Sequence, residues 1–561
     1  MKKCFLLISL FINTFVSAQV LELAKISSGT LTDRTILWDN KTDDVYGYFY
    51  IFEKDKLSKT NMKYEYVLLD KNLNKVFSGE FEDEFVNSKY PKFSSRVFSV
   101  RYFDGIIKMS MYETGYNSIV NAPITYLSTR YRLLDVAKNE LSDVFTFDEN
   151  LQRISGWENI KNQSQQYISF VSANESGYFS EAPLRSSKQY ERTMLKPKEA
   201  DKWHIVPKKI YFTDNQLNNK WEYSYNDLAN KKSYQTVSTL NPKYLNSNNT
   251  LVLKKILRGI DIDKAEKKGE FNDGYIFLKK DNGQIISEIK PYGTKNADPN
   301  IKELATRRTF IDEKGDKATL INIISYTKTN ILDENLIQGF SKTEYKISTG
   351  EEIKRNYFSW EQLKGLLNIN KNGFVKEKDE PDCYLYLHDV IMKSNGNMLF
   401  ILEEYKPYNG TVGKLLLNTT AFAGAKVNDM FFMELNNNME LVQFERIRKE
   451  NKKVNLGFTA NGSDVEYYNG FDYVGYQHLQ GDNYLFFYYN KQKTEKGAKK
   501  QWVLGILNYK NGKIIEQKLP LKSEEGSDMV ITPAKKGYIM VYEVFSNKDK
   551  SNELRLEKIN Y

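Results

Sequence analysis

Cysteine is almost missing from this chain. Of its 561 residues two are cysteines, Cys4 and Cys383, and Cys4 sits in a leading segment that reads as removable. One remaining thiol excludes an internal disulfide, so the fold must be held by burial. Histidine is as scarce, with three in the chain: His204, His388 and His478, widely separated. A zinc site takes several nitrogen or sulfur ligands at short spacings, so no metal and no cofactor is expected. After residue 18 no apolar run approaches the about 20 residues of a membrane-spanning helix, so no transmembrane segment is expected in the mature chain. Charge of one sign is lacking too: 81 basic against 72 acidic residues give a net +9, with both signs interspersed. A nucleic-acid surface would gather Lys and Arg on one face. The densest basic stretches, Arg446–Lys453 and Lys491–Lys500, read instead as solvated turns whose charge protects strand edges, and no nucleic-acid partner is expected.

The chain opens with Met1-Lys2-Lys3 and an apolar run from Phe5 to Val16, ending in Val16-Ser17-Ala18. This is the pattern of a cleavable export signal over residues 1–18, cut before Gln19. Cys4 precedes the apolar run instead of following it, so a lipid anchor is not expected. The mature chain, 19–561, is expected to work in the periplasm or at the cell exterior.

Aromatic residues abound, with 39 Tyr and 32 Phe, and they suit half-buried strands. One unit recurs: a compact apolar strand, a charged loop, a second strand, a turn rich in Asn, Asp and Gly, and a third strand. Gly47–Phe52, Gly105–Met109, Tyr167–Val171, Leu251–Leu253, Leu320–Ile324, Asn397–Leu402, Tyr484–Tyr488 and Tyr538–Tyr542 open such units. Asp281-Asn282-Gly283 and Lys510-Asn511-Gly512 supply the positive φ of tight turns. Opening strands that are apolar on both sides fit between neighbouring sheets, and units that bury one another's faces must stack or close. The expected fold is all-β: a β-propeller-like ring of seven or eight irregular antiparallel sheets, with two β-sandwich domains as the alternative. Insertions are expected near 172–249 and 355–382. The last unit is too short for four strands, so Val20–Leu23 is expected to supply the missing one and close the ring. Two short helices are expected, one opened by the capping box Ser359-Trp360-Glu361-Gln362 and one over Asn300–Arg308.

Catalytic equipment does not assemble from these residues. Thr32–Trp38 has the aspartate and tryptophan of a sialidase box without its glycine, and occurs once. Trp38-Asp39 is a lone Trp-Asp pair, and no Gly-x-Ser-x-Gly elbow occurs. Gly410–Leu415 has two residues between its glycines where a phosphate loop needs four. His388-Asp389 has the composition of a base with its orienting carboxylate, although a satisfied histidine is the plainer reading. The acidic clusters Glu82-Asp83-Glu84 and Glu377–Asp382 lack calcium-loop spacing and read as solvated loop charge. An outer-membrane barrel is not expected, since Leu554–Tyr561 breaks the required alternation at Glu557 and Lys558.

The stretch Asn428–Val442, continuing to Arg446-Ile447-Arg448-Lys449, resembles a pattern in exported, propeller-like proteins of Bacteroidetes. There an Asn- or Asp-led strand, a turn and a second strand end in Ile-x-Lys. The resemblance covers about a tenth of the chain closely. It implies a periplasmic or surface location and transfers no catalytic residue. The expected function is therefore that of an exported, non-catalytic binding or scaffold protein with a protein or glycan partner. Trp203, Trp221, Trp360 and Trp502 are candidate sugar-stacking positions. The alternative is a carbohydrate-active enzyme with an Asp/Glu pair from different blades facing across a channel; its catalytic residues cannot be nominated from sequence.

Overall fold

In the computed structural model the described residues are 19–559, without 40, 85–93, 118–121, 149–150, 163–169, 173–176, 182–207, 226–232, 240–248, 260–272, 290–297, 299, 327–336, 370–373, 378–379, 410–422, 457–460, 494–499, 511, 524–526 and 546–551. The proposed export signal, Trp203, His204 and Gly410–Lys414 thus lie outside them, as does much of 172–249.

The chain starts with β1 (Gln19–Glu22) and a single helical turn, Leu23–Ile26. Eight antiparallel sheets follow. Blade one is β2 (Thr30–Asp39), β3 (Asp44–Lys56), β4 (Asn61–Asp70) and β5 (Lys75–Glu84). Blade two is β6 (Ser94–Phe103), β7 (Ile106–Asn117) and β8 (Ala122–Asp135), with short β9 (Glu140–Leu141), β10 (Phe145–Phe147) and β11 (Arg153–Ser155). Blade three is β12 (Phe170–Ser172), β13 (Tyr178–Glu181), β14 (Lys208–Thr213) and β15 (Asn219–Tyr225). Blade four is β16 (Ser233–Thr239), β17 (Thr250–Gly259), β18 (Asp273–Lys279) and β19 (Ile285–Ile289).

Blade five is β20 (Ile301–Asp312), β21 (Lys317–Tyr326), β22 (Gly339–Lys346) and β23 (Glu352–Ser359). Blade six is β24 (Val375–Glu377), β25 (Glu380–Met392), β26 (Met398–Asn409), β27 (Ala423–Leu435), β28 (Leu441–Ile447) and β29 (Lys452–Asn455). Blade seven is β30 (Tyr473–His478), β31 (Tyr484–Lys493), β32 (Lys500–Lys510) and β33 (Lys513–Pro520). Blade eight has three strands from the end of the chain, β34 (Asp528–Pro533), β35 (Tyr538–Val544) and β36 (Glu553–Lys558). Its fourth is β1, paired with β36, as expected from Val20–Leu23.

Each gap between neighbouring blades holds its own apolar core. Leu251 and Leu253 of β17 pack towards Phe212 and Trp221 of blade three, while Val252 packs towards Leu320 and Tyr345 of blade five. Side chains alternate along a strand, so a strand with a blade on either side reads apolar at every position. The last gap, between blades eight and one, buries Met540 and Leu556 against Tyr48 and Val67. The ring is therefore closed, an eight-bladed β-propeller.

Antiparallel order gives the ring two unlike faces. Turns from first to second and from third to fourth strand lie on one face, and most are short, such as 71–74, 104–105, 313–316 and 436–440. A five-residue turn recurs there. Asp70 Oδ1 accepts from Asn72 N and Asn74 N, Asp214 from Gln216 and Asn218, and Asn436 from Asn438 and Glu440. The fourth residue has positive φ yet is Leu73, Leu217 or Met439. Left-handed backbone costs such residues about 1–2 kcal/mol, and here each side chain is buried in the core as an offset. At the opposite face the second strand of a blade ends and the third begins, and there longer stretches of sequence separate the two strands, as between Glu181 and Lys208 or Asn409 and Ala423.

Asn300–Arg308 is not a helix: it starts the innermost strand of blade five. Pairing skips between Glu303 and Ala305 and again between Thr306 and Arg308, and these two bulges disrupt the alternation that marks a strand. The capping box forms, with Ser359 N donating to Gln362 Oε1 at 3.1 Å, but it opens only a 3-10 turn, Trp360–Leu363.

Candidate functional site

The densest group of buried titratable side chains lies between blades six and seven, at the end with the longer connections. His388 is the extra residue of a bulge in β25, whose pairing with β26 skips from Leu387 to Asp389. Bulges re-aim side chains, and this one turns the imidazole to Glu403 on β26, with Nε2 2.9 Å from Oε2. Lys449, in the link after β28, places Nζ 2.9 Å from Glu403 Oε1 and 2.7 Å from Asp472 Oδ2. Asp472 N and Tyr473 N donate to Glu403 at 3.0 and 3.2 Å, and Asn490 Nδ2 donates to Asp472 at 3.1 Å. Burial pushes the Glu403 carboxyl up, but the Lys449 ammonium and His388 outweigh it and hold it down at about 2. Burial likewise pulls Lys449 down, and the two carboxylates outweigh that and raise it.

Rings surround the imidazole, with Phe471 and Tyr473 both at 4.8 Å between centroids. The charges of this cluster answer one another, an arrangement that braces blade six against blade seven. His388 and Asp389 do not form a dyad. Asp389 instead accepts from Arg308 Nη2 at 3.0 Å, because neighbours on a strand face opposite sides.

Other acidic groups are tied to cations in the same way. Glu303 and Glu352 both engage Arg355, at 2.6 and 2.8 Å. Of the cluster Glu82-Asp83-Glu84, read as solvated charge, Asp83 is fully buried. It faces inward from β5 and accepts from Arg130 Nε and Nη2 at 3.0 and 2.9 Å. The side chains of 377–382 lie outside the described residues. His478 stacks on Tyr484 and its Nε2 lies 2.6 Å from the Gly481 carbonyl. Among the described residues no three metal-ligating side chains gather.

Of the candidate tryptophans, Trp221 and Trp360 are core residues, and Trp502 is half-buried beside Tyr489. The exposed aromatics stand elsewhere. Tyr467 and Tyr468, 78% and 57% exposed, sit in the link from blade six to blade seven with their rings 5.1 Å apart. They end a short helix, Gly462–Tyr467, capped by Asn461, whose side chain accepts from Asp464 N. Glu466 fastens that helix to β25 by accepting from Tyr386 Oη. The cap signal Asn461-Gly-Ser-Asp464 stood in the sequence unread.

A model described as "Family of unknown function (DUF6770)" matches residues 1–90 and 146–560. The unmatched interval holds β6, β7, β8 and β9. No curated protein matches. Matching solved structures include cobalt-substituted apocarotenoid oxygenase from Synechocystis, at 9% identity over 59% of this chain and 62% of that one, with TM-score 0.29. Prolyl oligopeptidase B from Galerina marginata matches at 8% identity over 92% of this chain and 55% of its own, with TM-score 0.34. The β-propeller domain of the Trilobed protease from Pyrococcus furiosus matches at 6% identity over 84% and 96%, with TM-score 0.19. The match spans less than two thirds of the oxygenase and of the oligopeptidase. These likenesses concern the fold alone.

Proposed function

The chain belongs to the DUF6770 family, and we propose that it is an exported, non-catalytic binding protein whose partner, a protein or a glycan, docks on the face with the long connections. The observation that carries this reading is a contrast. The groups with catalytic composition, His388, Glu403, Lys449 and Asp472, are buried and charge-balanced. The aromatic pair Tyr467 and Tyr468 stands exposed on the link beside them. Export is supported by the pattern of residues 1–18.

The test is a thermal-shift screen of the chain from Gln19 against soluble glycans, with reducing-end release measured in parallel. A ligand confined to the folded state stabilises it by about 2.7 kcal/mol at a hundredfold excess over Kd. The expected result is a shift with one glycan class, no hydrolysis, and a smaller shift in Tyr467→Ser/Tyr468→Ser. Hydrolysis by the wild-type chain would overturn the non-catalytic reading. A flat glycan screen would assign the face to a protein partner, to be sought by cross-linking from position 467.

A further inference from the structure

A guanidinium without an anion stands beside the axis of the ring. Arg34 lies on β2, the innermost strand of blade one, opposite Tyr50 of β3. Pairing of β2 skips from Leu31 to Asp33. This bulge puts Arg34 on the side of Leu31 and Ile36, which pack towards blade eight. There its Cζ lies 3.9 Å from the centre of the Tyr542 ring.

A stacked ring covers one face of a guanidinium, whose N–H donors point outward in the plane of the group. None of the Arg34 donors meets a carboxylate or another acceptor among the described residues, and Nη1 is buried without a partner. The buried guanidinium groups of Arg130, Arg355 and Arg555, by contrast, each meet a carboxylate. Asp33, next in the chain, faces the other side of the strand and accepts from Thr35 Oγ1 at 3.2 Å.

The groups around Arg34 add hydrogens to donate and no negative charge. Its charge is coupled to Tyr542, Tyr50 and Tyr489, the last from β31 of blade seven. Burial pushes the Tyr50 phenol up, which keeps its hydrogen in place. The Tyr542 hydroxyl accepts from Asn552 Nδ2 at 3.1 Å, and no described residue accepts from it in turn.

We propose that Arg34, with the hydroxyls of Tyr50 and Tyr542, binds the carboxylate of a small organic acid that enters along the axis. A carboxylate brings the single negative charge that one cation balances, and its two oxygens match the guanidinium fork. A phosphate dianion would call for a second cation, and none is among the groups coupled to Arg34. The ligand is small because strands, not loops, surround the site. This goes beyond the docking reading above, since Tyr467 and Tyr468 stand on the link from blade six to blade seven.

Titration calorimetry of the chain from Gln19 with benzoate and with glucuronate tests this, with glucose and inorganic phosphate as controls. One acid or both are expected to bind, glucose not at all, and phosphate at least tenfold more weakly. The acid that binds more tightly tells an aromatic acid from a sugar acid. Arg34→Met is expected to abolish binding while the ligand-free Tm holds or rises, since a buried cation without an anion is gone. Arg34→Lys keeps the charge without the fork and is expected to weaken binding at least tenfold. The inference is overturned if neither acid binds the folded wild-type chain, if Arg34→Met or Arg34→Lys binds equally well, or if phosphate binds as tightly. Tyr467→Ser/Tyr468→Ser is expected to leave acid binding unchanged; a loss there would end this inference, whereas failure of the acids to bind would leave the docking reading standing.

Discussion

Leu21 in the first strand stands opposite Leu554 in the last, so residues near the two ends of the chain share one sheet. Closure of the ring depends on that pairing and on the helical turn behind it, where Leu23 and Ile26 are buried against blades eight and one. A chain starting at Ser27 loses both side chains and the four-residue ladder. Burying two aliphatic side chains stabilises by about 3–6 kcal/mol together. The Ser27 chain is expected to lose at least that much in urea unfolding relative to the chain from Gln19. A loss below about 1 kcal/mol would mean that blade eight holds with three strands.

The Glu403 carboxyl is held down to about 2, against 4.5 for an ordinary glutamate. A depressed carboxylate contributes stability that is fully present above the unfolded value and lost as pH falls through the folded one. The contribution should therefore hold from pH 5 to 8 and fade between about 4.5 and 2. Glu403→Gln leaves Lys449 buried with one carboxylate fewer, and breaking such a site costs about 3–5 kcal/mol. Urea midpoints across pH should show a constant gap between wild type and variant at neutral pH that narrows in acid. A gap unchanged down to pH 2.5 would count against the paired carboxylate.

The fold was legible where both faces of a strand are buried. The described residues of all eight apolar openings fall on ring strands or at their edges, and seven of the openings, from Gly47–Phe52 to Tyr538–Tyr542, lie on the second strand of a blade, blade six being counted from its first long strand, β25. The innermost strands were missed because they line the axis. β2 is mostly half-exposed along its length, so it shows neither an apolar run nor alternation, and Thr32–Trp38 was read as a failed motif. Lys449 was illegible for another reason. It sits in a basic stretch that reads as a solvated turn, and only the approach of Glu403 and Asp472 from other elements buries it. Bulges hid the rest, since the extra residue at His388 moves the residues after it to the other side, so that Leu387 and Val390 share one core.

Asp83 and Arg130 form a bidentate pair with no exposure of either side chain. Arg130→Met removes the partner of a buried carboxylate and is expected to cost about 3–5 kcal/mol. Adding Asp83→Leu removes the buried charge itself and should recover most of that loss. Chemical denaturation of the two single variants and the double closes the cycle. If the double variant is as unstable as Arg130→Met, the guanidinium's packing on Trp157, and not its charge, is what blades one and two depend on.

Lys108 presents the opposite case, a buried cation without a buried anion. Its ammonium donates to the Phe170 carbonyl at 3.1 Å and lies 4.2 Å from the centre of the Tyr178 ring, and neither partner carries a negative charge. Burial, with Arg101 adding to it, pulls its pKa down to about 7 from 10.5. Between those values the unfolded chain binds the proton and the folded chain does not, so stability rises with pH across that window. The penalty is full below about pH 7 and gone above about 10.5. Lys108→Met fills similar space without the charge. It is expected to raise the urea midpoint most at pH 6, less at pH 9, and not at all near pH 11. A variant less stable than wild type at pH 6 would mean that the hydrogen bond and the ring contact outweigh the desolvation of the charge, and that blade two is fastened to blade three through this lysine.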